Sequence, residues 1–311
     1  MLSNQIIKNI ISQISLVGDL SDDVLIEFCI IANQRYRIGS PIISDEDYDF
    51  IFLHELAKRL PNHPFLKKVE DEIEGFSEEK IKLPQKMLST DKAYSWEEVN
   101  KWLERVTKFS SDINYLLADI QIKGTAKLDG FAGYDDGNKL YTRGDGNKGS
   151  DISRVFERGL GVFNNSERGQ GPGEIVVKRS YFEKYLSNHF EYPRNFQASL
   201  IKEKELDKLA IDAIRAKAAL FVPFNQLPHW LGDIDEFKKQ FLDIVSQLEG
   251  GVDFDIDGVV FEIVNPELKK HMGSNRKFHR WQIAFKENKE KAQVKVLSIT
   301  AQVGRTGKIT P

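Results

Sequence analysis

Lys127-Leu128-Asp129-Gly130 places a lysine two residues before a carboxylate and three before a glycine, and it is the segment of this chain best suited to covalent chemistry. A free lysine amine has a pKa of about 10.4 and is almost wholly protonated at neutral pH. It attacks phosphorus only where burial or cationic neighbours disfavour its charge. Arg143, in Thr142-Arg143-Gly144-Asp145-Gly146, fits that need. It would also stabilise charge on the non-bridging oxygens of a transferring phosphate. Alone, the four residues are equally a strand running into a turn, and the pattern arises by chance on the order of once in ten chains of this size.

The flanking elements favour the chemical reading. Ile120 to Lys127 alternates and reads as a strand, as does Phe131 to Tyr134. Asp136-Gly137-Asn138 is a hairpin signal ahead of Lys139 to Arg143. This arrangement sets Lys127 at the mouth of a sheet with Arg143 returned beside it. Asp129, two residues on in an extended chain, shares a face with Lys127 and could orient it or a hydrated metal, while Gly130 permits a tight turn. Further strands are expected near Glu174 to Lys178, Ala219 to Phe224, Asp257 to Val264 and Gln282 to Lys286, with helices near Leu206 to Lys217 and Ile234 to Leu248. The mixture predicts an α+β fold.

The first sixty residues read as helices. Ser21-Asp22-Asp23 opens a run over Val24 to Ala32, and Ser44, with Asp47 placed as in a capping box, starts a longer one that Pro61 stops. Asp45, Tyr48 and Asp49 stand at i, i+3 and i+4 and share one face of its first turn. An acidic helix start facing solvent accounts for that face equally well.

Composition narrows the class. At 311 residues, 41% hydrophobic and 29% charged, the chain has material for two or three globular domains and is neither disordered nor collagen-like. The single Cys29 cannot form an intramolecular disulfide or a four-cysteine zinc site, which points to a reducing, cytoplasmic setting, and no histidine spacing suggests a metal ligand set. No run approaches the length of a membrane span, and the start lacks a secretory signal. A net charge of −3 implies a weak grip on duplex DNA and argues against a dedicated nucleic-acid-binding module.

The lysine and arginine motifs with Asp151 beyond, Asp257-Gly258-Val259-Val260, Pro193-Arg194-Asn195, Arg280-Trp281, Lys286 and the closing Gln302-Val303-Gly304-Arg305-Thr306-Gly307 resemble the adenylation core of the NAD-dependent DNA ligases. They do so in family order over roughly the whole chain. The resemblance implies a helical domain over 1–68 that binds nicotinamide mononucleotide, a nucleotidyltransferase domain of mixed and antiparallel sheet over 69–296, and the start of an OB-fold over 297–311. Val294 to Ile299 would supply the first OB strand. Remaining domains would lie on a longer chain or on a second subunit carrying the OB, zinc-finger and helix-hairpin-helix regions, as in a divided phage-type ligase.

The same resemblance implies that Lys127 attacks the α-phosphate of NAD, expels nicotinamide mononucleotide and holds AMP for the 5′-phosphate of nicked duplex DNA, with Mg²⁺ assisting. Asp129, Arg143, Asp257 and Lys286 would share the catalysis. Ser89 and Thr90, in a segment that could equally be a local turn, would line the adenylate pocket with Gly130. Glu174 would accept from the ribose and Arg194 would join the site, although either on its own reads more simply as a surface salt bridge. Tyr36, Asp45, Tyr48 and Asp49 would hold the nicotinamide half. Four positions depart from the family pattern: Arg37 replaces a histidine, Pro172 an arginine, Thr125 a glutamate and Glu262 a lysine. Two other readings stay open, a nucleotidyltransferase using ATP or GTP and a degenerate ligase that binds without catalysing.

Overall fold

Alternation puts Lys123, Thr125 and Lys127 on one face of the strand Gln121–Leu128 and buries Ile122, Gly124, Ala126 and Leu128 on the other. In the computed structural model, which describes residues 2–37, 40–67, 80–203, 205–287, 302–303 and 309–310, that strand lies inside a five-stranded sheet. The spatial order is His229–Asp233, Gln121–Leu128, Ile256–Ile263, Gln282–Phe285 and Lys92–Ala93. Only the last pairing is parallel.

A second five-stranded sheet runs Leu140–Thr142, Phe131–Asp135, Gly171–Val177, Ala219–Pro223 and Gly161–Val162. The expected single sheet around Lys127 is therefore corrected. Its strand belongs to the first sheet and the hairpin bearing Arg143 grows from the second, and the chain crosses between them at Asp129-Gly130. A Cβ at residue 130 would overlap the Ile175 carbonyl oxygen, so only glycine makes the crossing.

Each sheet buries its outer face under helices. Trp96–Asp112 and Ile234–Gly250 cover the first with Val99, Trp102, Val106, Phe237, Phe241 and Leu248. Pro193–Lys202 and Lys208–Arg215 cover the second with Phe196, Leu200, Ala210 and Ala213. The two sheets meet where Ala126 and Leu128 of the first pack against Val176, Leu220 and Val222 of the second. Elsewhere they part and leave a cleft. The helix Trp96–Asp112 goes beyond the expected elements although its start is written locally: the Ser95 hydroxyl accepts from Glu98 N–H and the Glu98 carboxylate from Tyr94 N–H. The edge strand His229–Asp233 and the helix Pro193–Lys202 are likewise additional.

The N-terminal helices Asn4–Ser12 and Asp22–Arg37 pack with the segment that Ser44 starts around Leu25, Phe28, Cys29, Phe52 and Leu56. That segment is one continuous helix only in outline. Asp45–Asp47 leads into a π-helical stretch, Tyr48–Leu53, before His54–Arg59. Such wide turns recur at functional sites. Gln302–Val303 pairs antiparallel with Ile309–Thr310. The OB strand expected over Val294 to Ile299 and residues 304–307 lie outside the described residues. No helix among the described residues is long and apolar enough to cross a membrane.

Candidate active site

Lys127 projects from the first sheet into the cleft, with its side chain one-quarter exposed, and its amine lies 2.5 Å from Asp257 Oδ2. Asp257 should not reach it. Val259, Phe261 and Ile263 are buried in the core, so strict alternation would turn residue 257 inward with them. A β-bulge between Ile256 and Val259 inserts one residue opposite Lys127 and swings Asp257 onto the cleft face. Gly258 makes the bulge possible with φ +104°, and a Cβ there would overlap the Phe285 carbonyl oxygen. Gly258→Ala is expected to cost about 2–4 kcal/mol in chemical denaturation and to displace Asp257 from Lys127. Wild-type stability in that variant would refute the need for the bulge.

Asp257 bridges two lysines, since its Oδ1 accepts from Lys286 Nζ at 2.6 Å. Lys286 in turn contacts Asp49 of the N-terminal helices, and Asp49 Oδ1 lies 2.5 Å from Lys92 Nζ. Lys92, Asp49, Lys286, Asp257 and Lys127 thus form one chain of alternating charge. Burial alone would raise Asp257, but the ammoniums of Lys127, Lys286 and Lys92 outweigh it and hold the carboxyl well below the usual range. Burial likewise opposes the charge on Lys286, and Asp257 and Asp49 override it and push its pKa well up. The group touching the amine is thus a carboxylate, and the expected cations Arg143 and Lys286 line the same cavity as Lys127.

Asp129 is corrected as well. The strand ends at Leu128, and the Asp129 carboxylate accepts from Tyr36 Oη at 2.8 Å and from Arg194 at 3.5 Å. It therefore joins the N-terminal helices to the two-sheet body instead of orienting Lys127. Arg194 is buried, donates to the carbonyls of Tyr36 and Gly130, and holds its guanidinium carbon 3.8 Å from the ring centre of Tyr36 and 4.4 Å from that of Phe131. Its surface-salt-bridge alternative is excluded. Lys92, Phe131 and Gln197, whose Nε2 donates to Asp129 O, are site residues that sequence reasoning missed.

Two cavities meet at Lys127. The larger, about 440 Å³, is lined by Thr125, Gly130, Glu174, Val260, Glu262 and Trp281. The smaller, about 200 Å³, is lined by Ala32, Asn33, Ile43, Asp45, Tyr48 and Asp49 of the N-terminal helices, with Lys92, Asp257 and Lys286. Tyr36, Ser89, Thr90, Lys127, Arg143 and Arg194 line both. At this junction Arg143 Nε is buried with no hydrogen-bond partner among the described residues, a donor in want of an acceptor such as a phosphate oxygen. Tyr48 also reaches back to Cys29 O at 3.4 Å. Burial and the carboxylates of Asp129 and Asp257 push Asp45 up to about 8, so at neutral pH it can donate a hydrogen bond.

Glu174 is buried on the inner face of the second sheet, and burial pushes it up to about 7 against the opposing pull of Lys127, Arg194 and Arg143. Below about pH 4.5 it is neutral folded or unfolded. Between there and pH 7 only the unfolded chain ionises, so folded stability falls as pH rises, by up to roughly 3 kcal/mol. Glu174→Gln is expected to raise stability by that order at pH 8 and to leave it unchanged at pH 4. Denaturation at the two pH values tests this, and equal effects at both would contradict it.

Residues 76–205 match the family model described as NAD-dependent DNA ligase adenylation domain. The chain carries an NAD-dependent DNA ligase adenylation domain. It is 63% identical over 311 residues to a protein named DNA ligase from Vesicomyosocius okutanii, covering 100% of this chain and 49% of that protein. A DNA ligase from Ruthia magnifica is 63% identical over 95% of the chain, and one from Shewanella baltica 50% identical over 95%, with 48% and 45% of those proteins covered. The chain thus spans about half the length of the curated relatives it matches. An ATP- or GTP-using nucleotidyltransferase is not favoured by these matches.

Proposed function

We propose that this adenylation domain charges itself with AMP from NAD. The Lys127 amine attacks the α-phosphorus, a P–N bond forms, the P–O bond to nicotinamide mononucleotide breaks, and the amine's proton leaves by way of Asp257, the group in contact with it. The observation that carries this reading is the position of Lys127 where two cavities join. A dinucleotide has two nucleoside halves and one diphosphate between them. The larger cavity would take adenosine, with Glu174 toward its ribose. The smaller, walled by Tyr36, Asp45, Tyr48 and Asp49, would take the nicotinamide half.

Lys286 and Arg143 would face the diphosphate, and the unpartnered Arg143 Nε has its acceptor there. Mg²⁺ would supply further charge neutralisation on the phosphates. Among the described residues no three His, Cys, Asp or Glu side chains group as a metal site. That fits a Mg²⁺ held mainly by phosphate and water. The lysyl-AMP would then activate the 5′-phosphate at a nick in duplex DNA, as in replication and repair. The grip on DNA would come from an OB-fold, proposed to start within 297–311, and from domains beyond it or on a second subunit.

Incubation with NAD and Mg²⁺ followed by intact mass measurement tests the proposal. A gain of one AMP is expected with NAD and none with ATP. An adduct that forms from ATP and not from NAD would remove the role given to the smaller cavity.

A further inference from the structure

The end of the larger cavity away from Lys127 has no task in the displacement, yet it holds a carboxylate. Glu262 faces the cavity with Val260, and its partner across the sheet is Lys123, four residues before Lys127. At about 3.4 Å per residue, that end lies roughly 14 Å along the strand from the nucleophile, a span an extended nucleoside phosphate bridges. Glu262 Oε2 accepts from Gln282 Nε2 at 3.0 Å and pairs with Lys269 Nζ at 3.5 Å. Lys269 is itself seated over the Trp281 ring at 4.2 Å. Oε1 makes no hydrogen bond or ion pair among the described residues. One oxygen is anchored and the other is left to the cavity.

We propose that Glu262 reads the purine base: its Oε1 accepts a hydrogen bond from the exocyclic 6-amino group of adenine and makes the site reject purines with a carbonyl there. This rests on the proposed binding of NAD, whose adenosine half the cavity would hold. An ionised carboxylate only accepts hydrogen bonds, so a 6-carbonyl would set acceptor against acceptor and leave both unpaired, which discriminates more than a lost contact does. The anchoring Lys269 ammonium offsets the carboxylate's charge, so a phosphate at Lys127, roughly 14 Å along the strand, faces an ion pair of no net charge. Glu262 therefore does not repel it.

Titration calorimetry with NAD and with nicotinamide hypoxanthine dinucleotide tests the assignment. Wild-type protein is expected to bind NAD about a hundredfold more tightly. Glu262→Gln, whose amide offers a carbonyl or an NH₂ to the base, is expected to bring the two within about fivefold, chiefly by improving the hypoxanthine analogue. Gln282→Leu, which removes the anchor and leaves the carboxylate, is expected to lower the preference to about tenfold. Equal affinities in wild type, or a wild-type preference retained in Glu262→Gln at an unchanged melting temperature, would overturn the proposal. Failure of the catalytic reading is distinguishable: preferential binding of NAD without any adduct would defeat the role of Lys127 and uphold that of Glu262.

Discussion

Alanine at position 127 is expected to abolish the AMP adduct at any NAD concentration while leaving the fold intact. The lysine stands on the cleft face of its strand, outside the packed layers. Its loss leaves Asp257 still paired with Lys286 at 2.6 Å, so no buried carboxylate is stranded. NAD affinity is expected to fall by less than about tenfold, because Arg143, Lys286 and both cavities remain. Lys127→Arg should be equally inert, since a guanidinium stays protonated and cannot attack phosphorus. Residual adduct in either variant would show that a different nucleophile is used.

Asp257→Asn is expected to slow adduct formation by about a thousandfold, with a change in stability within about 2 kcal/mol. An amide fills the same space in the bulge but cannot hold two ammoniums at once. Lys127 would lose its alignment and its route for the departing proton, whereas Lys286 would keep Asp49. The loss should appear in the rate at saturating NAD and not in the affinity for it. A variant weakened only in binding would instead place Asp257 on the substrate and not on the nucleophile.

The parts of this site legible in the sequence are those written locally. Alternation from Ile120 onward placed Lys127 on a strand face, the Asp136-Gly137-Asn138 turn delivered Arg143, and Ser44 marked the helix carrying Asp45 and Asp49. Trp96–Asp112 was equally legible from Ser95 and Glu98. What the sequence hides is non-local. Lys92, Asp49, Lys286, Asp257 and Lys127 are spread over residues 49 to 286 and meet only after two sheets and the N-terminal helices assemble. The bulge at Asp257-Gly258 inverts the parity that a regular strand would assign. Asp129 looks like a partner for Lys127 at spacing two, yet the crossing between sheets begins at that residue and turns its carboxylate to Tyr36 and Arg194.

The most direct test is to locate the adduct by peptide mass mapping after incubation with NAD and Mg²⁺. The predicted result is AMP on the peptide bearing Lys127 and on no other lysine, with release of one nicotinamide mononucleotide for each adduct. AMP on Lys92 or Lys286, or no adduct on protein shown to be folded and to bind NAD, would contradict the account.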